Sequence, residues 1–252
     1  MSHDLQALAR RLERAQALQN DRFNQAAGGR SLPVGGGFAH WRGVGHPMNQ
    51  VLGLTEAITD AELVGVESFL GVPTVLELSP GADPTLWPLL AQRGYRLHQF
   101  QQLWSRPLAD LPVSFPAVGI RIADPHEAEL YNRVVCAGFM DRNDWDTFEP
   151  PFQTSLEFSG AWGFLAHVEG EPAGGGMLGI VDGVAMLSGD GVLPRFRGRG
   201  LQKALIRARL IVAREQGCDV ACASTAPGTA SQRSYEACGF RVAYPKVEMA
   251  RG

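Results

Sequence analysis

Between residues 194 and 203 the chain reads Pro194-Arg195-Phe196-Arg197-Gly198-Arg199-Gly200-Leu201-Gln202-Lys203. Upstream, residues 184–193 have the composition of an apolar strand. Downstream, Leu201, Ala204, Leu205, Ala208, Ile211 and Val212 recur at helical spacing, and Gly217 stands just past them as a stop. A strand that turns through two glycines into a helix presents unpaired backbone N–H groups at the positive end of the helix dipole, a setting that suits a phosphate or pyrophosphate. From Arg195 to Arg214 there are seven Lys or Arg and no acidic residue. The alternative is a solvated basic helix face, which glycines serve poorly because they cost about 1 kcal/mol each inside a helix. Two general phosphate loops fail on residues: GxxxxGK followed by Ser or Thr is absent, and the dinucleotide fingerprint needs a third Gly where Lys203 stands.

Outward from this segment the pattern predicts a strand at Gly119–Ala123, a helix from about His126 to Phe139 and another around Phe152–Phe158. Strands follow near 162–169, 173–181 and 184–193, separated by Glu169-Gly170-Glu171-Pro172 and Asp182-Gly183. After the long helix come a strand at Cys218–Ser224, a short helix over 229–238 and a last strand over 240–249. Pro107, Pro112 and Pro116 mark Arg106–Ala117 as a linker. Before it, the sequence predicts helices over 4–26, 58–70 (opened by Thr59 and Asp60) and Pro84–Gln92, with strands over 47–54, Val72–Leu78 and Arg96–Ser105. The halves also echo one another at a shift of 145 residues, Ala91-Gln92-Arg93-Gly94-Tyr95-Arg96-Leu97 against Glu236-Ala237-Cys238-Gly239-Phe240-Arg241-Val242. In both a short helix ends in Gly and an aromatic residue opens a strand, as internal duplication would leave it.

The 252 residues are more than one average domain and fewer than two. With 45% hydrophobic and 19% charged residues the chain can bury a full core. Its net charge of −3 argues against nucleic-acid binding through a global basic field, so any anion site is local. No apolar run reaches membrane-spanning length and the N-terminal twenty residues are charged throughout, from which a cytoplasmic protein with no membrane partner is expected. Cys136, Cys218, Cys222 and Cys238 show no CxxC and no His pair has ligand spacing, so no metal is expected; buried free thiols are the simplest reading of the cysteines.

The segment Arg197-Gly198-Arg199-Gly200-Leu201-Gln202 resembles motif A, Q/R-x-x-G-x-G/A, of the GNAT N-acetyltransferase superfamily, with Gln202 where Gly or Ala is usual. Downstream, Ser231-Gln232-Arg233-Ser234-Tyr235-Glu236-Ala237-Cys238-Gly239-Phe240 is similar to the superfamily's closing helix and strand, with Gly228 where an Asn is frequent. Thirty-five residues separate Gly200 from Tyr235, room for a helix, a strand and the start of a helix. The resemblance covers about residues 118–252, and the first half only through the echo. It implies an α/β (α+β type) fold of two GNAT-like domains in tandem, with mixed, mostly antiparallel sheets flanked by helices. The expected division is 1–111, a degenerate domain without the loop, and 112–252, which binds acetyl-CoA.

What the resemblance implies residue by residue is specific. Backbone groups of Asp190, Gly191 and Val192 hold the pantetheine and thioester carbonyl, while the segment Arg197, Gly198, Arg199, Gly200, Leu201, Gln202 and Lys203 holds the pyrophosphate. Tyr235 is the general acid that protonates the departing thiolate. The activity implied is direct attack of a primary amine, small-molecule or peptide, on acetyl-CoA. An alkylamine of pKa near 10.4 gives up its proton at pH 7 at a cost of about 4.6 kcal/mol, so a base or water chain is needed. Asp190 is the nearest carboxylate on the strand, and Asp141, Asp144, Asp146 and Glu149 crowd the loop after the first helix of that half. In the first half, Gln50–Ala57 stands at the shifted position of the phosphate loop with one Gly and no basic residue, so one cofactor per chain is expected. Trp41, Trp87, Trp104, Trp145 and Trp162 are candidates for the acceptor cleft or for core. The chain is expected to be a monomer or homodimer. The competing readings are a decayed protein that binds or senses acyl-CoA without turnover, and a nucleotide or sugar-phosphate binder.

Overall fold

The computed structural model describes residues 3–46, 48–71, 73–111, 119–151 and 161–252. Along the chain run α1 (His3–Ala26), β1 (Arg30–Val34), β2 (Gly37–Trp41), β3 (Gln50–Leu52), α2 (Asp60–Leu70), β4 (Thr74–Leu78), α3 (Leu86–Gln92), β5 (Arg96–Pro107), β6 (Ile120–Ile122), α4 (Ala128–Phe139), β7 (Ala161–Val168), β8 (Glu171–Val181), β9 (Val184–Val192), α5 (Leu201–Glu215), β10 (Val220–Thr225), α6 (Ala230–Ala237) and β11 (Arg241–Arg251). The mixed, mostly antiparallel sheet flanked by helices is the fold class the sequence implies. The compact units do not follow the expected cut between 111 and 112: one is Met1–Leu103 with Val242–Gly252, the other Trp104–Arg241.

In the first unit the strands lie in the order β1-β2-β3-β4-β11-β5. The β1–β2 hairpin, absent from the sequence expectation, turns through Gly35 and Gly36 at φ 54° and 82°, which two-residue hairpin loops require. β3 and β4 are parallel, meeting at Val51 and Leu76, and β11 runs antiparallel to β4. Leu63, Val66 and Leu70 of α2 pack with Leu76, Leu78, Leu86, Leu90 and Tyr95 into one core. Fully buried Lys246 lies 2.7 Å from Glu13 and 2.9 Å from Glu77, the partners such a charge needs away from water.

The second unit runs from the end of β5 through β10-β9-β8-β7-β6. β5 extends to Pro107, so the expected linker begins as strand: the Trp104 indole N–H donates to Thr225 Oγ1 at 2.9 Å and the Leu108 N–H to the Asp219 carbonyl at 2.9 Å. Residues 112–117 of the linker and the expected helix around 152–158 lie outside the described residues. The β7–β8 and β8–β9 turns carry Glu169-Gly170 and Asp182-Gly183 at positive φ, the hairpin chemistry the sequence indicated. Helix α5 turns Leu205, Ile206, Leu210 and Ala213 into a core with Trp104, Leu178, Leu187, Ala221, Tyr235 and Phe240. Four of the five tryptophans pack on hydrophobic clusters; Trp87 is exposed.

Candidate functional site

Strands β9 and β10 are parallel, and their registered pairs are Val184 with Val220, Ala185 with Ala221 and Met186 with Cys222. β9 nevertheless continues to Val192 and β10 to Thr225, so the sheet opens between them. On its other edge β9 stays paired to β8, Gly191 facing Gly175 and Val192 facing Gly174, with a register shift between Gly175 and Met177. The shift coincides with Gly189 at φ 63°, a β-bulge that re-aims the following residues. Gly138 of α4 and Gly191 let the helix lie directly on this strand: a Cβ on Gly191 would meet the Val135 carbonyl oxygen at 2.3 Å, and one on Gly138 the Val192 nitrogen at 2.7 Å.

From β9 the chain passes through a single 3-10 turn, Pro194–Phe196, to the glycine loop. Gly198 and Gly200 sit at φ 76° and 78°, and neither has a heavy atom within 4 Å of where a Cβ would be. Gly200 is the N-cap of α5 and supplies no side chain to cap it. The first amide of α5 bonded to the loop is that of Ala204, to the Gly200 carbonyl, which leaves Leu201, Gln202 and Lys203 with amides ahead of the helical ladder. An open, positively polarised helix end with no acidic residue in its first turn can hold a phosphate.

The side chains of the loop divide their work. Arg197 was expected among the cofactor-binding residues, but its guanidinium serves the architecture: Nε donates to the Val192 carbonyl at 3.0 Å, Nη2 to the Gly138 carbonyl at 2.7 Å, and Nη1 pairs with Asp141. Arg195 is held by Asn143 and Glu171. Arg199 lies over the Phe196 ring, and Gln202 Nε2 reaches Ser231 Oγ at 3.4 Å, which ties the start of α5 to α6.

Beside the opened strand lies a buried polar network. The Tyr235 hydroxyl donates to Asp190 Oδ2 at 2.6 Å, and the other oxygen of Asp190 pairs with Nη2 of Arg209. Arg209 is fully buried and its remaining donors go to the carbonyls of Leu205 (3.1 Å), Met177 (3.0 Å) and Ser188 (3.3 Å). Gly176 makes the room, since a Cβ there would meet Arg209 Cζ and Asp190 Oδ1 at 2.8 Å each. Burial and then the charge of Asp190 push the Tyr235 hydroxyl well above its ordinary pKa, so it keeps its proton at neutral pH. Burial raises the Tyr131 hydroxyl too; it is enclosed beside Gly189 without a hydrogen-bond partner among the described residues.

The expected pair Tyr235 and Asp190 is therefore brought together, but Asp190 is not a free base. Its carboxylate is occupied by Arg209 on one oxygen and Tyr235 on the other, and an amine proton would have to displace these partners. The loop carboxylates are also engaged: Asp141 with Arg197, Asp144 with Arg142 and Glu149 with Arg133, while the Asp146 carbonyl accepts from Arg133. Arg209 was counted in the sequence only as one of a basic run. A specific signal was available, because it stands four residues after Leu205 and four before Ala213, on the apolar face of the helix. All four cysteines are buried and outside any disulfide, no three described His, Cys, Asp or Glu residues group to hold a metal, and no described helix is long and apolar enough to cross a membrane.

A mixed sheet that opens between two parallel strands and leads through a glycine turn to an uncapped helix defines an α/β architecture whose helix end can receive an anionic group. The particular family follows: residues 128–240 match the acetyltransferase (GNAT) family model, and this part of the chain is a GNAT acetyltransferase domain, which implies acyl transfer from acyl-CoA. Among solved structures, a GCN5-related N-acetyltransferase from Kribbella flavida is 21% identical with a TM-score of 0.66, over 96% of this chain and 95% of that one. A tandem GNAT protein from the clavulanic acid biosynthesis pathway is 16% identical, with a TM-score of 0.58 over 87% and 80% of the two chains. A putative GNAT acetyltransferase from Novosphingobium aromaticivorans is 23% identical, with a TM-score of 0.52 over 76% and 79%. These likenesses are of fold. No curated protein matches the sequence.

Proposed function

We propose that the protein transfers the acetyl group of acetyl-CoA to a primary amine of a small molecule or peptide, and that one cofactor binds per chain, in the second unit. The observation that carries this is the opening of β9 from β10 beyond Met186, which leads straight to the open glycine loop. Acetyl-CoA supplies an acyl group activated as a thioester. Strand residues Asp190, Gly191 and Val192 lie along the opening, and the amides of Gly198 to Lys203 suit the pyrophosphate. Arg197 fixes that loop from behind.

Tyr235 is the proposed acid toward the leaving sulfur. Its proton is available at neutral pH but points at Asp190 in the resting state, so it must turn from a charge-assisted hydrogen bond worth roughly 1.5–3 kcal/mol. Asp190 is thus assigned to positioning the tyrosine, with Arg209 positioning Asp190. Asp190 and the described loop carboxylates Asp141, Asp144 and Glu149 are paired with arginines, and water is assigned the amine proton.

The first unit supports the count of one cofactor. Its helix α2 follows β3 as α5 follows β9, but its N-terminus is closed: Thr59 accepts from the Glu62 amide, Glu62 accepts from the Thr59 amide, and Asp60 and Glu62 place negative charge in the first turn. Gly53 is walled in as well, since a Cβ there would meet Ala17 Cβ at 2.6 Å. We assign this unit as a degenerate GNAT-like copy.

Release of free thiol from acetyl-CoA in the presence of a panel of amines tests the function. Amine-dependent release supports it. Tight binding of acetyl-CoA with no release under any amine supports instead a sensing protein, the reading favoured by the commitment of the Tyr235 proton to Asp190.

A further inference from the structure

Tyr131 of α4 lies against the opened strand and has no part in the chemistry described so far. Its side chain is fully buried, and its hydroxyl has no hydrogen-bond partner among the described residues. The ring rests on β8 at Gly175, where a Cβ would meet Tyr131 Cε2 at 3.2 Å. The hydroxyl reaches the bulge in β9: a Cβ on Gly189 would stand in ordinary contact with Tyr131 Oη at 3.6 Å and Met177 Cβ at 3.7 Å. There is thus room for one more heavy atom against the hydroxyl. Ser188 and Gly189 are exposed, and β9 has by then left β10, its last registered pair being Met186 with Cys222. A buried hydroxyl without an acceptor lowers stability, and a phenylalanine would fill the same space without that cost. Burial, opposed by Arg209 and helped by Asp190, raises the pKa of the hydroxyl, so at neutral pH it is a standing donor.

The level on the strand selects the acceptor. Asp190 turns to the opposite face of the sheet, where it meets Arg209 and Tyr235, so the two tyrosines flank β9 at neighbouring residues. In the acyl-CoA reading, on which this inference rests, the pyrophosphate lies at Gly198 to Lys203 and the pantetheine runs back along Val192, Gly191 and Asp190. The thioester then falls at the Gly189 end. We propose that the Tyr131 hydroxyl donates to the thioester carbonyl oxygen and to the negative charge this oxygen gains during transfer. As the amine nitrogen bonds the carbonyl carbon, the carbonyl π pair moves to the oxygen that Tyr131 faces. The pair returns as the C–S bond breaks; the sulfur takes the Tyr235 proton, water takes the amine proton, and solvent returns a proton to Tyr235. Tyr131 keeps its own proton throughout.

The test is Tyr131→Phe in the full chain, assayed with acetyl-CoA and a panel of amines. The substitution should lower kcat by about 10²–10³-fold, the cost of removing one donor to a developing oxyanion. Acetyl-CoA affinity in calorimetric titration should be unchanged, and the urea midpoint should equal or exceed that of the parent, which separates loss of a donor from loss of structure. Isotope-edited infrared spectra of bound acetyl-CoA need no acceptor: the carbonyl band should lie at lower frequency in the intact protein than in Tyr131→Phe. If no amine supports turnover, this comparison alone decides. Undiminished kcat with chemistry limiting the rate, the same carbonyl band in both proteins, or a lowered urea midpoint overturns the assignment of Tyr131 and leaves the acyl-CoA reading standing. Failure of the intact protein to bind acetyl-CoA overturns both.

Discussion

Replacing Arg209 by Met removes the one cation that faces Asp190 in the buried network. The methionine fills most of the space, so packing changes little and the polar consequences dominate. Asp190, with a side chain only 11% exposed, would keep the Tyr235 hydroxyl and lose its counter-ion, while the Met177 and Ser188 carbonyls would lose their donors. Breaking one side of a buried pair costs about 3–5 kcal/mol, far more than the pair itself contributes over an apolar replacement. We expect Arg209→Met to lower the unfolding free energy by about 4 kcal/mol. In Asp190→Asn the neutral amide still accepts from Tyr235, and adding Arg209→Met to it should cost about 2 kcal/mol less than the same change in the parent, because no carboxylate is then stranded. Urea titration of the four proteins at pH 7, followed by tryptophan fluorescence, measures all four corners. A cost for Arg209→Met below about 1 kcal/mol, or additivity of the two substitutions, would show that the network is not held as described.

Three further outcomes are expected. Tyr235→Phe should lower kcat by about 10²–10⁴-fold with little change in acetyl-CoA affinity, and unchanged turnover with chemistry limiting the rate removes Tyr235 from the mechanism. Burial, partly opposed by Asp21, pushes the His40 pKa down to about 4 from 6.5, so between these values the unfolded chain takes up a proton that the folded one refuses. Stability should therefore fall as the pH drops through that window, by up to about 3 kcal/mol, and His40→Gln should flatten the slope in urea titrations at pH 7 and 4.5; identical slopes contradict this. A fragment of residues 112–252 should be insoluble or aggregate on gel filtration, because it lacks Trp104, Leu108 and Leu111 from its core and carries β11, which pairs in the first unit. A monodisperse fragment with cooperative unfolding would show that β5 is dispensable.

The sequence was most legible where local chemistry decides structure. The Thr59 start of α2, the Asp182-Gly183 hairpin and the Gly217 stop of α5 follow from residues within one turn of each other. The β1–β2 hairpin is hard to read from the sequence because Pro33 and three consecutive glycines weaken a strand pattern, although Gly-Gly turns are themselves a hairpin signal. The strand neighbours of β5 and β11 were out of reach: partners of a strand end, unlike its alternation, leave no local trace, and so the division into units differed from the proline-based cut. The glycine turn before α5 and the place of Tyr235 on α6 were legible through motif spacing. That Asp190 is tied up by Arg209 was not, because pairing across 19 residues depends on the bulge at Gly189. Arg197 misled in the same way, its charge being spent on Asp141 and two carbonyls.

The central claim is that the open end of α5 in the second unit holds acetyl-CoA. Calorimetric titration of the full chain with acetyl-CoA, repeated on Gly200→Glu, tests it most directly, since that substitution sets a carboxylate and a β-carbon at a φ 78° glycine in the loop. The account predicts one site per chain, lost in Gly200→Glu while the circular dichroism spectrum is retained. Two sites per chain, no binding by the unsubstituted protein, or undiminished binding by Gly200→Glu would contradict it.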